Sequence, residues 1–175
     1  MQQHANILSL WRKSYRAFFT TVLLIVMITR VPLAFAETIT DSMTVYKSSS
    51  CGCCTAWVDH MKDTGIKTSV RHPSNLNIIK QKMGVKPAYH ACHTAIMQGY
   101  VFEGHIPAAA IEQFLQDKPA NAIGLAVPGM PMGSPGMETN KAFKAYQVLL
   151  LNKDGSSTPY ASVSAQQVTY LGDTL

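Results

Sequence analysis

The first apolar block of the chain has no period. Ala17 to Thr29, with Phe18, Phe19, Leu23, Leu24 and Ile25, is nearly unbroken, whereas the rest alternates short apolar and polar runs. Met43-Thr44-Val45-Tyr46-Lys47 has the β-branched and aromatic content of a strand. Ser48-Ser49-Ser50 interrupts it, and Ser50 suits the N-cap of a following helix. From Cys54, the positions Cys54, Trp57, Val58 and Met61 keep helical spacing until Gly65 offers a terminator. Ile66 to Val70 reads as a second strand. Asn75 to Met83 predicts a second helix, with Leu76, Ile79 and Met83 on one face and Gly84 closing it. Pro87 to Ala91 is irregular. Cys92 to Met97 and Tyr100 to Glu103 flank Gln98-Gly99 as a hairpin would, and Pro107 suits the first position of a third helix, Ala108 to Gln116. Val127 to Met137 is a Gly/Pro/Met loop. Tyr146 to Asn152, Asp154-Gly155 and Pro159 to Val163 predict a final hairpin. The order β-α-β-α-β-β-α, with C-x-x-C between the first strand and first helix, is that of a thioredoxin-like α/β fold. The closing hairpin is then a C-terminal extension.

The unbroken block reads as an address. Arg12, Lys13 and Arg16 precede it, and Ala34-Phe35-Ala36 follows as an A-x-A cleavage site before Glu37. It is shorter than the ~20 residues a spanning helix needs, so no stable membrane anchor is expected after cleavage. The expected organisation is a signal peptide at 1–36, a linker at 37–42, one metal-binding domain at 43–163 and a tail at 164–175. Charge changes with this division. The chain has 15 Lys and Arg against 10 Asp and Glu, and Arg12, Lys13, Arg16 and Arg30 all lie in the leader. That leaves 11 cations against 10 acids, a net charge of +1. No clustered basic face is visible, so nucleic acid is not an expected partner.

All four cysteines, Cys51, Cys53, Cys54 and Cys92, lie beyond the cleavage site. An even count in an exported chain usually means structural disulfides. Here the spacing argues for reactivity. Cys53 and Cys54 are neighbours, about 3.8 Å apart at Cα, below the disulfide range. Of the remaining pairings, Cys51–Cys54 is the familiar C-x-x-C. The cluster should sit at the N-terminus of the first helix, where unpaired amides and the positive dipole end favour thiolate. Gly52 permits the tight path needed to aim several sulfurs together. Cys92, at the start of the expected third strand, either supplies a fourth sulfur or is an inert buried thiol. Three or four thiolates suit soft ions, among them Cu(I), Zn or an iron–sulfur centre.

Met130, Met132 and Met137 add three thioethers in a stretch too rich in Gly and Pro to form a regular element. Thioether is a neutral soft ligand that favours Cu(I) over Zn, although methionine also fills irregular gaps. His93 follows Cys92 directly and can share its centre only if the strand starts irregularly, because neighbours on a strand face opposite ways. His90 is the alternative. His60 and His72 read as surface residues, and His105 stays undecided between ligand and ordinary polar residue.

Longer motifs then carry a resemblance. Val45-Tyr46-Lys47-Ser48-Ser49-Ser50-Cys51-Gly52-Cys53-Cys54-Thr55-Ala56-Trp57-Val58, Ala91-Cys92-His93-Thr94-Ala95, Gly99 to Pro107 and Gly124 to Glu138 are similar to the CopG-type copper-resistance family, over about residues 43 to 155. The resemblance implies a periplasmic, thioredoxin-like protein encoded with copper-efflux systems. It implies copper held through Cys51, Cys53, Cys54 and Cys92, and interconversion of Cu(I) and Cu(II). Copper ions and periplasmic efflux components are the partners it points to. A thiol–disulfide oxidoreductase using Cys51 and Cys54, or a zinc-stapled domain, are the competing readings of the same residues.

Overall fold

The computed structural model describes residues 42–138, 143–165 and 167–171. The expected leader lies outside the described residues. The elements are β1 (Ser42–Lys47), α1 (Gly52–Asp63), β2 (Lys67–Arg71), α2 (Leu76–Lys82), a 3₁₀ turn (Pro87–Tyr89), β3 (His93–Met97), β4 (Tyr100–Glu103), α3 (Ala108–Asp117), β5 (Ala122–Ala126), β6 (Tyr146–Asn152), β7 (Ser157–Ser164) and β8 (Gln167–Tyr170). The fold is mixed α/β, and the expected order β-α-β-α-β-β-α is present from β1 to α3. No helix among the described residues is long and apolar enough to cross a membrane.

One sheet carries all eight strands in the order β2-β1-β3-β4-β5-β6-β7-β8. β1 runs parallel to β2 and antiparallel to β3, and β3 is antiparallel to β4. β4 and β5 are parallel and joined through α3. The remaining neighbours are antiparallel, so the closing hairpin β6–β7 continues the same sheet. The Gln98-Gly99 turn has φ of 50° and 81°, two left-handed residues, which is the conformation that matches the twist of a two-residue hairpin.

The helices end where backbone chemistry lets them. α1 buries Cys54, Trp57, Val58 and Met61, the stripe expected from spacing. At its end Gly65 is left-handed at φ 89°, its amide donates to Lys62 O (2.8 Å), and Ile66 N donates to Met61 O (3.0 Å). α2 repeats the device with Gly84 and Val85, and Asn75 Oδ1 caps its start by accepting from Asn77 N at 3.0 Å.

Several boundaries differ from the pattern. The N-cap of α1 is Cys51, because the Ser48 and Ser50 hydroxyls bond each other (2.9 Å) in a turn closed by Cys51 N donating to Ser48 O (3.2 Å). Pro107 is the N-cap of α3 and not its first residue, and its carbonyl accepts from Ala110 N and Ile111 N. β3 begins at His93, leaving Cys92 in the preceding irregular segment. Leu76 and Ile79 of α2, and Met83 at its C-cap, are only half-buried, while Lys80 is buried. β5 and β8 had no counterpart in the pattern.

The main core gathers Met43, Trp57, Met61, Phe102, Ile106, Ile111, Phe114 and Leu125. Fully burying side chains of this size contributes roughly 1.5–3 kcal/mol each. Gly124 lies so close to β4 that a Cβ would collide with the Val101 carbonyl oxygen, so the β4–β5 pairing requires glycine.

Candidate metal centre

Strand register explains why distant cysteines meet. Lys47, the last residue of β1, pairs with His93, the first of β3, and Thr94 pairs with Glu103 near the end of β4. Glu103 in turn pairs with Ala126 at the end of β5. The segments after β1, before β3, after β4 and after β5 therefore crowd one end of the sheet. They carry Cys51-Gly52-Cys53-Cys54, Cys92, His105 and the Pro128–Met137 loop.

The sulfur atoms of Cys51, Cys53, Cys54 and Cys92 all lie within 4.8 Å of one another. Cys51 and Cys53 Sγ are 3.6 Å apart. Cys51 and Cys54 are joined as a disulfide, with Cα atoms 5.4 Å apart, and Cys53 and Cys92 are free. A second set shares two of these atoms: Cys54, Cys92, His93 and His105 also have ligand atoms within 4.8 Å of one another.

The imidazoles are held in defined ways. His105 Nδ1 lies 2.7 Å from Pro135 O. A carbonyl only accepts, so Nδ1 carries the proton and Nε2 presents its lone pair 3.0 Å from Cys92 Sγ. His93 Nδ1 is 3.4 Å from the same sulfur, and its Nε2 is buried without a hydrogen-bond partner. The His93 ring lies 4.3 Å from Trp57 and 4.9 Å from His105, centroid to centroid. Trp57 is fixed by its Nε1 donating to Ile106 O at 2.8 Å. Burial lowers the pKa of His93 well below 6.5, with His105 and Lys80 adding to the effect, and burial likewise lowers His105. Both rings are therefore neutral at neutral pH, the form that ligates metals.

Cys92 shows the opposite perturbation. Burial, then the neighbouring Cys53, pushes its thiol from an ordinary 9.0 up to about 12. Without a compensating cation, Cys92 stays protonated at neutral pH. A bound soft cation would supply that compensation and displace the proton.

The other predicted positions sort clearly. His90 Nε2 is engaged with Val85 O (3.2 Å), which takes it out of the cluster. His60 Nε2 accepts from Ala108 N (3.3 Å) at the start of α3, and His72 Nδ1 contacts Lys47 O (3.0 Å). The Gly/Pro/Met loop meets the site through backbone. Pro135 O holds His105, and a Cβ at Gly136 would stand 2.6 Å from both Cys53 O and Trp57 N. Met132 and Met137 are half-buried, whereas Met130 is 53% exposed and faces mostly water. The buried pair Lys80 and Glu103 had no place in the expected site.

The donors fit a soft ion. In the disulfide form, two thiols and two imidazoles are available; two electrons and two protons would reduce the disulfide to two more thiols, making four in all. His93 Nε2, buried without a hydrogen-bond partner among the described residues, is a polar atom that a bound ion would satisfy.

The comparisons with known proteins agree with this chemistry. A family described as a protein of unknown function, DUF411, matches residues 89–137. A solved structure described as copper resistance protein copG, form 2, is 36% identical, with a TM-score of 0.66, covering 70% of this chain and 98% of its own. A second, form 1, is 35% identical with the same TM-score, covering 71% and 98%. No curated protein matches the chain. At that identity and coverage, the chain belongs to the CopG-type copper-resistance family.

Proposed function

We propose that this protein serves copper tolerance in the periplasm, binding Cu(I) through Cys51, Cys53, Cys54 and Cys92 and interconverting Cu(I) and Cu(II). His93 and His105 complete the donor set. Met132 and Met137 are the loop's candidates for a neutral thioether ligand, while the exposed Met130 does not suit a buried one. The observation that carries the reading is the meeting of four sulfurs from two distant segments within 4.8 Å. Soft donors in that number select a soft ion, and the copper-resistance relatives support copper. The disulfide supports the redox part by electron count. Oxidising two Cu(I) to two Cu(II) releases two electrons, and reducing the Cys51–Cys54 disulfide to two thiols takes up two electrons with two protons. The bound ion is then cargo for efflux components of the same compartment.

Anaerobic titration of the reduced protein with Cu(I) should load more than one ion per chain if the sulfurs bridge ions. The triple substitution Cys51→Ser, Cys53→Ser, Cys54→Ser should abolish tight binding. Wild-type affinity retained in that variant would reject the reading.

The Cys51–Cys54 disulfide favours one competitor, a thiol–disulfide oxidoreductase. Such an enzyme needs neither Cys92 nor the imidazoles around it. Reduction of insulin at an undiminished rate by Cys92→Ser protein would favour that competitor.

A further inference from the structure

Behind the sulfurs lies a charged pair that the ligand set does not use. Lys80 of α2 and Glu103 of β4 form a salt bridge with side chains 3% and 0% exposed. A buried ion pair is weak as a device for stability, because desolvating both ions offsets most of their attraction. What surrounds this pair is informative. Glu103 Oε1 also accepts from the backbone amide of Ala91 (2.6 Å), and Oε2 accepts from the hydroxyl of Thr94 (2.7 Å). Lys80 Nζ donates to Thr94 Oγ1 at 2.9 Å. Ala91 and Thr94 are the residues immediately before and after Cys92-His93. One carboxylate thus grips both ends of a dipeptide that carries a thiol and an imidazole. The amide of Gly104, next to Glu103, closes the arrangement by donating to His93 O (3.0 Å).

This grip answers a local problem. Cys92 precedes β3 in an irregular segment, where no ladder bond fixes it, and β3 alone would send Cys92 and His93 to opposite faces. Yet Cys92 Sγ and His93 Nδ1 lie 3.4 Å apart. Something outside the strand must hold the turn.

We propose that Glu103, fixed by Lys80, is the positioning residue that clamps Cys92 and His93 into metal-binding geometry. This rests on the copper-binding reading above. Outer partners of metal ligands typically matter by about 10- to 100-fold in affinity, and here the partner acts through backbone and a hydroxyl.

The test compares two double variants. Lys80→Met with Glu103→Met replaces the pair by apolar side chains of similar length and removes every clamp acceptor. Lys80→Met with Glu103→Gln also removes the charges but keeps a carbonyl oxygen for Ala91 N–H and a polar group for Thr94. The expected result is Cu(I) affinity about 10-fold or more below wild type in the Met/Met protein, with an altered thiolate-to-copper absorption band, and recovery in the Met/Gln protein. The Ala91 amide should exchange faster with solvent in metal-free Met/Met protein, a readout that needs no copper. Wild-type affinity, spectrum and exchange in a folded Met/Met protein would overturn the proposal. If Met/Met does not fold, Thr94→Val carries the test. It frees the carboxylate from the β3 hydroxyl while Lys80 and Glu103 stay paired, so weaker copper binding in a protein that still folds is expected, and unchanged binding overturns the clamp. Wild-type protein that takes up no Cu(I) at all would instead defeat the copper-binding reading.

Discussion

Gly136 shows how narrowly the site is built at the level of single residues. It is left-handed at φ 79°, and a Cβ there would stand 2.6 Å from two backbone atoms of α1, Cys53 O and Trp57 N. Gly136→Ala should therefore cost about 1–2 kcal/mol from the backbone conformation alone, with steric overlap adding to it. A urea melt of the metal-free protein measures the loss, and a stability equal to wild type would contradict this contact. At this scale the cysteines were readable from sequence, since three sulfurs within four residues are too close together to staple distant parts of a chain. His105 was not, because a lone histidine before a proline carries no periodic signal, and its role comes from Pro135 thirty residues away. Lys80 and Glu103 were invisible for a similar reason. A lysine within Leu76–Lys82 reads as the solvated side of a helix until the fold places a carboxylate behind it.

Elements are joined at the site by a few directed bonds. Trp57 ties α1 to the segment after β4 by donating to the Ile106 carbonyl. Trp57→Phe keeps the aromatic bulk but leaves that buried carbonyl without its donor, which should destabilise the protein by about 1–3 kcal/mol. Differential scanning calorimetry would show a lower melting temperature, and no change would mean that another donor had replaced the indole. The α1 stripe and the paired glycine stops at Gly65 and Gly84 were legible because helical period and left-handed caps are local properties. β5 and β8 were not. Ala122-Ile123-Gly124-Leu125-Ala126 has a strand-weakening glycine whose purpose is the close approach of Val101, and Gln167-Val168-Thr169-Tyr170 is a polar, exposed strand that only its pairing with β7 defines.

For the molecule as a whole, buried titratable groups set the pH range of stability. His93 and His105 have folded pKa values below the ordinary 6.5. As pH falls below that value, the unfolded chain binds protons that the folded one refuses. The stability these rings contribute is complete above about 6.5 and is lost as pH drops through their lowered values. Cys92 works in the other direction. Its thiol is held up to about 12 against 9.0, so its contribution is complete below 9.0 and is lost as pH rises toward 12. Melting temperatures of disulfide-bonded, metal-free protein should form a plateau that falls at both ends, and a flat acid limb in calorimetry would contradict neutral burial of the two rings.

β2 forms one margin of the sheet, and its exposed Lys67 and Arg71 stand four residues apart. A second molecule aligning its own β2 there, antiparallel about Ser69, would set Lys67 of one copy opposite Arg71 of the other. Like charges facing each other across a strand pair repel. Lateral growth into fibrils is thereby discouraged along that border, a safeguard of use to a molecule that carries a disulfide and two free thiols at one end of the same sheet.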